Sequence, residues 1–138
     1  MSIIHSIERA FEDKKSKKWD LLYFYFDIHE TIFYPDYENN KEQRFYKHAI
    51  EVLQYLSNRD DIILGLYTCS YPREILEYQK IFKSNNINFK YVNKNPEVEN
   101  TKYGFFEMKP YFNVLFENKA GFNAETDWIL LKNYFNIY

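Results

Sequence analysis

The chain holds one cysteine, Cys69, among 138 residues. That excludes an intrachain disulfide framework and a cysteine-rich zinc module. Three glycines and four prolines leave little material for a long flexible linker. No apolar run approaches the roughly 20 residues of a membrane-spanning helix. The longest, residues 21–26, is too short even for a signal-peptide core. An excess of one charge is also missing. Eighteen Lys+Arg face 20 Asp+Glu, a net charge of −2, so overall charge does not drive the chain onto nucleic acid or anionic lipid. No membrane partner and a cytoplasmic location are therefore expected. Aromatic residues, by contrast, make up 21% of the chain, enough apolar surface to argue against disorder. The length suits a single domain over residues 1–138. Within it, 1–18 read as a helix and basic linker and 19–138 as the core.

Periodicity assigns the elements. Ile3, Ile4, Ile7, Ala10 and Phe11 recur at helical spacing and lead into Lys14, Lys15, Lys17 and Lys18. Residues 21–26 and 62–67 are short continuous apolar runs, the pattern of strands buried on both faces of a parallel sheet. Shorter strands are expected at 89–92 and 112–116, with an irregular polar stretch at 93–108 and a loop at 33–40. Helices are expected at 41–57, after Ser70 as cap, and at 124–135 behind Asn123. The alternation predicts an α/β protein: a three-layer, Rossmann-like core, a mostly parallel sheet with helices on both faces.

In such sheets functional residues collect beyond the carboxyl ends of the strands. Asp27 follows the first strand and Thr68 the second. Lys109 stands ahead of the fourth, and Glu117 with Asn118 directly after it. Paired carboxylates can hold a hard cation such as Mg²⁺. A hydroxyl and an ammonium can hold phosphoryl oxygens, and Asp27 can then attack phosphorus to give an aspartyl-phosphate. Cys69 reads as a small residue packed beside the site. His5 and His48 fall on expected helices, which argues against a three-histidine zinc site.

This order resembles the haloacid dehalogenase-like hydrolases. Their first motif is an apolar strand and Asp-x-Asp-x-Thr; here it is Asp27-Ile28-His29-Glu30-Thr31. Thr68 matches the second motif, Lys109 the third, and Glu117 with Asn118 the fourth. Residues 109–122 also look like small phosphatase-like proteins in which Asp-Asp precedes Lys-Ala-Gly-Phe. The resemblance implies a Mg²⁺-dependent phosphomonoester hydrolase with Asp27 as nucleophile and metal ligand. His29 would be general acid and base and would offer its backbone carbonyl to the metal. Thr68 and Lys109 would hold the phosphoryl group, and Glu117 and Asn118 would complete the metal site. Two departures stand out: His29 replaces an Asp, and Glu117-Asn118 replaces an Asp pair. The alternative is a degenerate member with a binding or structural role. Both gaps that house cap domains in the family are short here, so a capless core is expected. An open site suits a phosphorylated macromolecule, a nucleic-acid end included, or a small substrate enclosed by a second subunit of a homo-oligomer.

Overall fold

The computed structural model describes residues 3–35 and 44–138. Four strands form one sheet in the order β3-β2-β1-β4, every neighbouring pair parallel. They are β1 (Leu22–Phe26), β2 (Ile62–Leu66), β3 (Tyr91–Val92) and β4 (Val114–Phe116). The helices are α1 (Ile3–Lys17), α2 (Ala49–Ser57), α3 (Pro72–Ser84) and α4 (Asp127–Tyr134). The α/β architecture with a parallel sheet is the one expected. Strand β1 lies inside the sheet, with Leu22, Phe24, Tyr25 and Phe26 fully buried, which is why its sequence is apolar without alternation.

The two faces of β1 are covered differently. Phe24 meets Phe11 of α1, with ring centroids 6.4 Å apart. Phe26 stacks on Phe116 at 4.1 Å and lies parallel to Trp128 of α4 at 6.2 Å. Each phenylalanine buried this fully contributes about 1.5–3 kcal/mol. Helix α3 adds Phe82, stacked on Phe33 and edge-on to Phe89, which in turn meets Phe26. On the opposite face the β3–β4 crossover, residues 93–113, lies over Tyr23 and Tyr25. Tyr25 donates its hydroxyl to the Lys94 carbonyl at 2.6 Å, and its ring lies 6.1 Å from Phe112. Tyr23 packs edge-on to Tyr111. That crossover contains no helix, as its polar, Asn-rich sequence suggests. Beneath Tyr25 sits Gly65. A Cβ there would lie 2.4 Å from the tyrosine ring, so the close approach requires glycine.

The expected strands shorten, 89–92 to Tyr91–Val92 and 112–116 to Val114–Phe116, and three expected helix starts move. The expected 41–57 helix starts only at Ala49, and its residues 41–43 lie outside the described part, as do 36–40 of the expected loop. His48 precedes the helix in the left-handed region, φ 71°, and Phe45 bridges to Phe33 in extended chain. His48 is thus an N-cap, with Nδ1 3.1 Å from Glu51 Oε2. Ser70 does not cap α3, because its hydroxyl pairs with Thr68 Oγ1 at 2.9 Å. Tyr71 takes the cap position, and its N–H donates to Glu74 Oε1 at 3.0 Å. Helix α4 starts at Asp127, not Ala124, because 123–126 fold into a turn closed from Asn123 N–H to Asp127 Oδ2 at 2.8 Å.

Candidate active site

At the carboxyl ends of β1, β2 and β4 lies a cleft of about 540 Å³. The segment after β1 contributes Asp27, His29 and Glu30. The segment after β2 contributes Thr68, Cys69 and Ser70, and that after β4 contributes Glu117, Asn118 and Lys119. The sheet ladder sets the starting point. Asp27 N–H donates to the Phe116 carbonyl at 2.9 Å, and Tyr67 N–H donates to the Phe26 carbonyl at 2.9 Å. Beyond Asp27 the chain turns tightly, with the N–H groups of Ile32 and Phe33 both donating to the Ile28 carbonyl. Thr31 is fully buried at that turn. Its hydroxyl accepts from Asn118 N–H at 3.3 Å, and its carbonyl accepts from Trp128 Nε1 at 2.8 Å. The threonine therefore ties the loop after β1 to the segment after β4.

Asp27 and Glu117 both line this cleft, at the ends of neighbouring strands and close enough to interact. The Asp27 pKa is pushed up to about 6, above all by burial. A hydrogen bond from the Ile28 backbone opposes the rise, Glu117 adds to it, and the charge of Lys119 opposes it. Two carboxyls side by side can share a divalent cation, so the donor set fits Mg²⁺. Asn118 donates Nδ2 to Glu30 Oε2 at 3.2 Å, which leaves its amide oxygen as the ligand atom. Among the described residues, no three His, Cys, Asp or Glu side chains cluster closely enough to hold a metal by themselves.

Thr68 is held from both sides. Its N–H donates to Asn93 Oδ1 at 2.8 Å, and Asn93 Nδ2 donates back to its carbonyl at 2.9 Å. Its hydroxyl accepts from Ser70 N–H at 3.1 Å. Asn93 follows β3 in the left-handed conformation, φ 56°, which asparagine tolerates better than most residues. His29 Nε2 lies 3.0 Å from the hydroxyl of Tyr78, a buried residue of α3. Burial pulls the His29 pKa below its usual value, against the weaker pull of Glu74 and Glu30.

Asp27, His29, Thr68, Glu117 and Asn118 are thus brought together, and Lys109 is not among the residues lining the cleft. Its ammonium lies 5.2 Å from the centroid of Phe112 in the crossover. The cation in the lining is Lys119, two residues after Glu117. A 3₁₀ turn over Asn118–Ala120 begins directly after Glu117. It is closed by Ala120 N–H on the Glu117 carbonyl at 3.0 Å and followed by Gly121 at φ 103°. The sequence signal for Lys119 was its place in Glu-Asn-Lys-Ala-Gly, directly beyond a strand end. Ser70 and Asn93 were likewise missed as site residues.

No family model matches the chain, and no curated protein matches it. Among solved structures it is similar to a conserved protein from Bacteroides thetaiotaomicron, with a TM-score of 0.63 and 17% identity. The match covers 84% of this chain and 91% of that one. A likeness at this identity establishes a shared α/β fold.

Proposed function

We propose that the chain is a Mg²⁺-dependent phosphomonoester hydrolase of the haloacid dehalogenase-like type, working through an aspartyl-phosphate on Asp27. The observation that carries this reading is the Asp27–Glu117 carboxyl pair at the ends of two adjacent parallel strands, in one cleft with Thr68, Ser70 and Lys119. Asp27, Glu117 and the Asn118 amide oxygen would hold Mg²⁺, together with the His29 carbonyl. The ion would supply charge neutralisation at the phosphoryl group.

In the first step an Asp27 carboxylate oxygen bonds to phosphorus as the bond from phosphorus to the leaving oxygen breaks. Lys119, with the Thr68 and Ser70 hydroxyls, holds the remaining phosphoryl oxygens. Lys119 takes the role that the resemblance gave to Lys109. In the second step water attacks the acyl-phosphate, freeing Asp27 and inorganic phosphate. His29 is suited to accept the proton of that water, because its lowered pKa keeps the imidazole neutral near pH 7. The proton it gains is the one the next leaving group receives. The Tyr78 hydroxyl stands 3.0 Å from Nε2 with the two rings edge-on, and Nδ1 is buried, so the ring must turn to present a nitrogen to that water.

The rival reading is a protein that keeps the fold for binding and has lost turnover. It draws on Asn118, a neutral ligand where the resemblance leads one to expect an acid. Release of phosphate from p-nitrophenyl phosphate with and without Mg²⁺ decides between them. Magnesium-dependent release that is lost in Asp27→Asn supports the hydrolase, and no release by the wild-type chain supports the rival.

A further inference from the structure

The opposite end of the sheet carries a second concavity, a groove of about 840 Å³ where the α1–β1 turn faces the β3–β4 crossover. Its lining includes the rings of Trp19, Tyr23, Tyr103, Phe106 and Tyr111. Tyr103 is 87% exposed, which leaves its ring accessible to a ligand in the groove. Lys17 and Lys18 form part of the lining, and Lys14 and Lys15 continue the cluster along the last turn of α1. Two rings already carry an ammonium at cation–π distance: Lys17 Nζ is 5.1 Å from the Trp19 centroid, and Lys102 Nζ is 5.0 Å from that of Tyr103. Asp20 also lines the groove, against the two lysines. Glu97 nearby is engaged by Lys90 at 2.9 Å, Tyr91 at 2.5 Å and Tyr23 at 3.2 Å.

We propose that this groove binds single-stranded nucleic acid, with bases stacked on Tyr103 and Trp19 and phosphates along Lys17, Lys18 and Lys102. The chemistry follows from the alternation of flat faces and ammonium groups. A base and its phosphate repeat that alternation, and every base has a face to stack on. A duplex hides its base faces and cannot use the rings. An acidic peptide can pair with the lysines but gives Tyr103 nothing flat to cover. The site is separate from the cleft: Tyr23 of β1 and Asp27, just past its end, stand four residues apart, about 13 Å in extended chain. It does not depend on the hydrolase reading.

The test is fluorescence anisotropy of a labelled 12-nucleotide oligothymidylate, without a terminal phosphate, on the full chain at about 50 mM salt. Saturable binding is expected. Tyr103→Ala should weaken it about 5- to 150-fold, the range for loss of one stacked base. Because Tyr103 is exposed, the thermal melt of this variant should match the wild type. Lys17→Ala with Lys18→Ala should weaken binding and flatten its salt dependence, by about 0.7 in the log–log slope for each phosphate no longer neutralised. Asp27→Asn should bind as the wild type does. Absence of saturable binding overturns the proposal, as does a Tyr103→Ala variant that binds normally. Displacement by duplex or by polyglutamate as effective as by unlabelled oligothymidylate also overturns it, because the rings would then contribute nothing.

Discussion

Replacing Asp27 by Asn should make the metal-free protein more stable, at the cost of its proposed chemistry. Burial and the neighbouring Glu117 raise the Asp27 pKa from 3.8 to about 6. The folded state therefore holds this proton more tightly than the unfolded chain does. Between about pH 4 and 6 the folded protein binds more protons, so this group makes stability fall as pH rises. The cost of the ionised carboxylate is absent well below pH 3.8 and fully present above about 6. A shift of two units corresponds to about 3 kcal/mol. Solvent still reaches part of the group, so about 1–2 kcal/mol is the expected net effect. An amide carries no charge and can donate to Glu117. Asp27→Asn should then gain about 1–2 kcal/mol at pH 7.5 in EDTA, and only about a third of that at pH 4.5. Urea unfolding at the two pH values reads this as a midpoint shift of roughly 0.5–1 M at pH 7.5. Added Mg²⁺ should stabilise the wild type and leave the variant unchanged. A variant less stable than wild type at pH 7.5, or a gain independent of pH, would refute the assignment of a strained carboxyl pair.

The two candidate lysines separate cleanly: Lys119→Ala should cut turnover by about 10²- to 10³-fold, as for loss of one charge-stabilising group. Lys109→Ala should change turnover less than about threefold in the same steady-state assay, because its ammonium rests on Phe112. The His29 imidazole should titrate below 6.5 by NMR, since burial lowers its pKa. His29→Ala should slow a substrate with a poor leaving group by about 10²- to 10⁴-fold and one with a good leaving group less, while His29→Asp retains activity. Equal losses for both substrates would make His29 structural. Gly65→Ala should destabilise the fold by about 1–3 kcal/mol, because its methyl would overlap the Tyr25 ring and disturb the bond to the Lys94 carbonyl. Chemical denaturation measures that loss.

Much of the architecture was legible because burial on both faces writes a direct pattern. The uninterrupted apolar runs at 21–26 and 62–67 became β1 and β2, each shorter by one residue. Their carboxyl ends then put Asp27 and Thr68 beside each other, and Glu117 followed from the shorter β4. Helix starts were harder. The apolar spacing from Phe45 onward suits a helix, yet Phe45 pairs with Phe33 across a bridge and His48 adopts a positive φ. Spacing says nothing about either tertiary choice. Lys109 falls outside the cleft lining for a related reason. Lys109 has the expected chain position, but the crossover packs Phe112 against Tyr25 and Tyr67, and Lys109 lies over that ring. Lys119 lies two residues past Glu117, in a turn whose geometry depends on Gly121. Asn93 lay beyond periodicity as well. Its clamp on Thr68 requires a left-handed residue at the end of a two-residue strand.

The most direct test of the central claim is a crystal structure of the chain with Mg²⁺ and BeF₃⁻, a mimic of the phosphoryl group on an aspartate. The account predicts beryllium bonded to an Asp27 carboxylate oxygen, Mg²⁺ bound by Asp27 and Glu117, and Lys119 with the Thr68 hydroxyl against the fluorines. An Asp27 carboxylate free of the adduct would contradict it, as would an adduct held by Lys109 with Lys119 turned away.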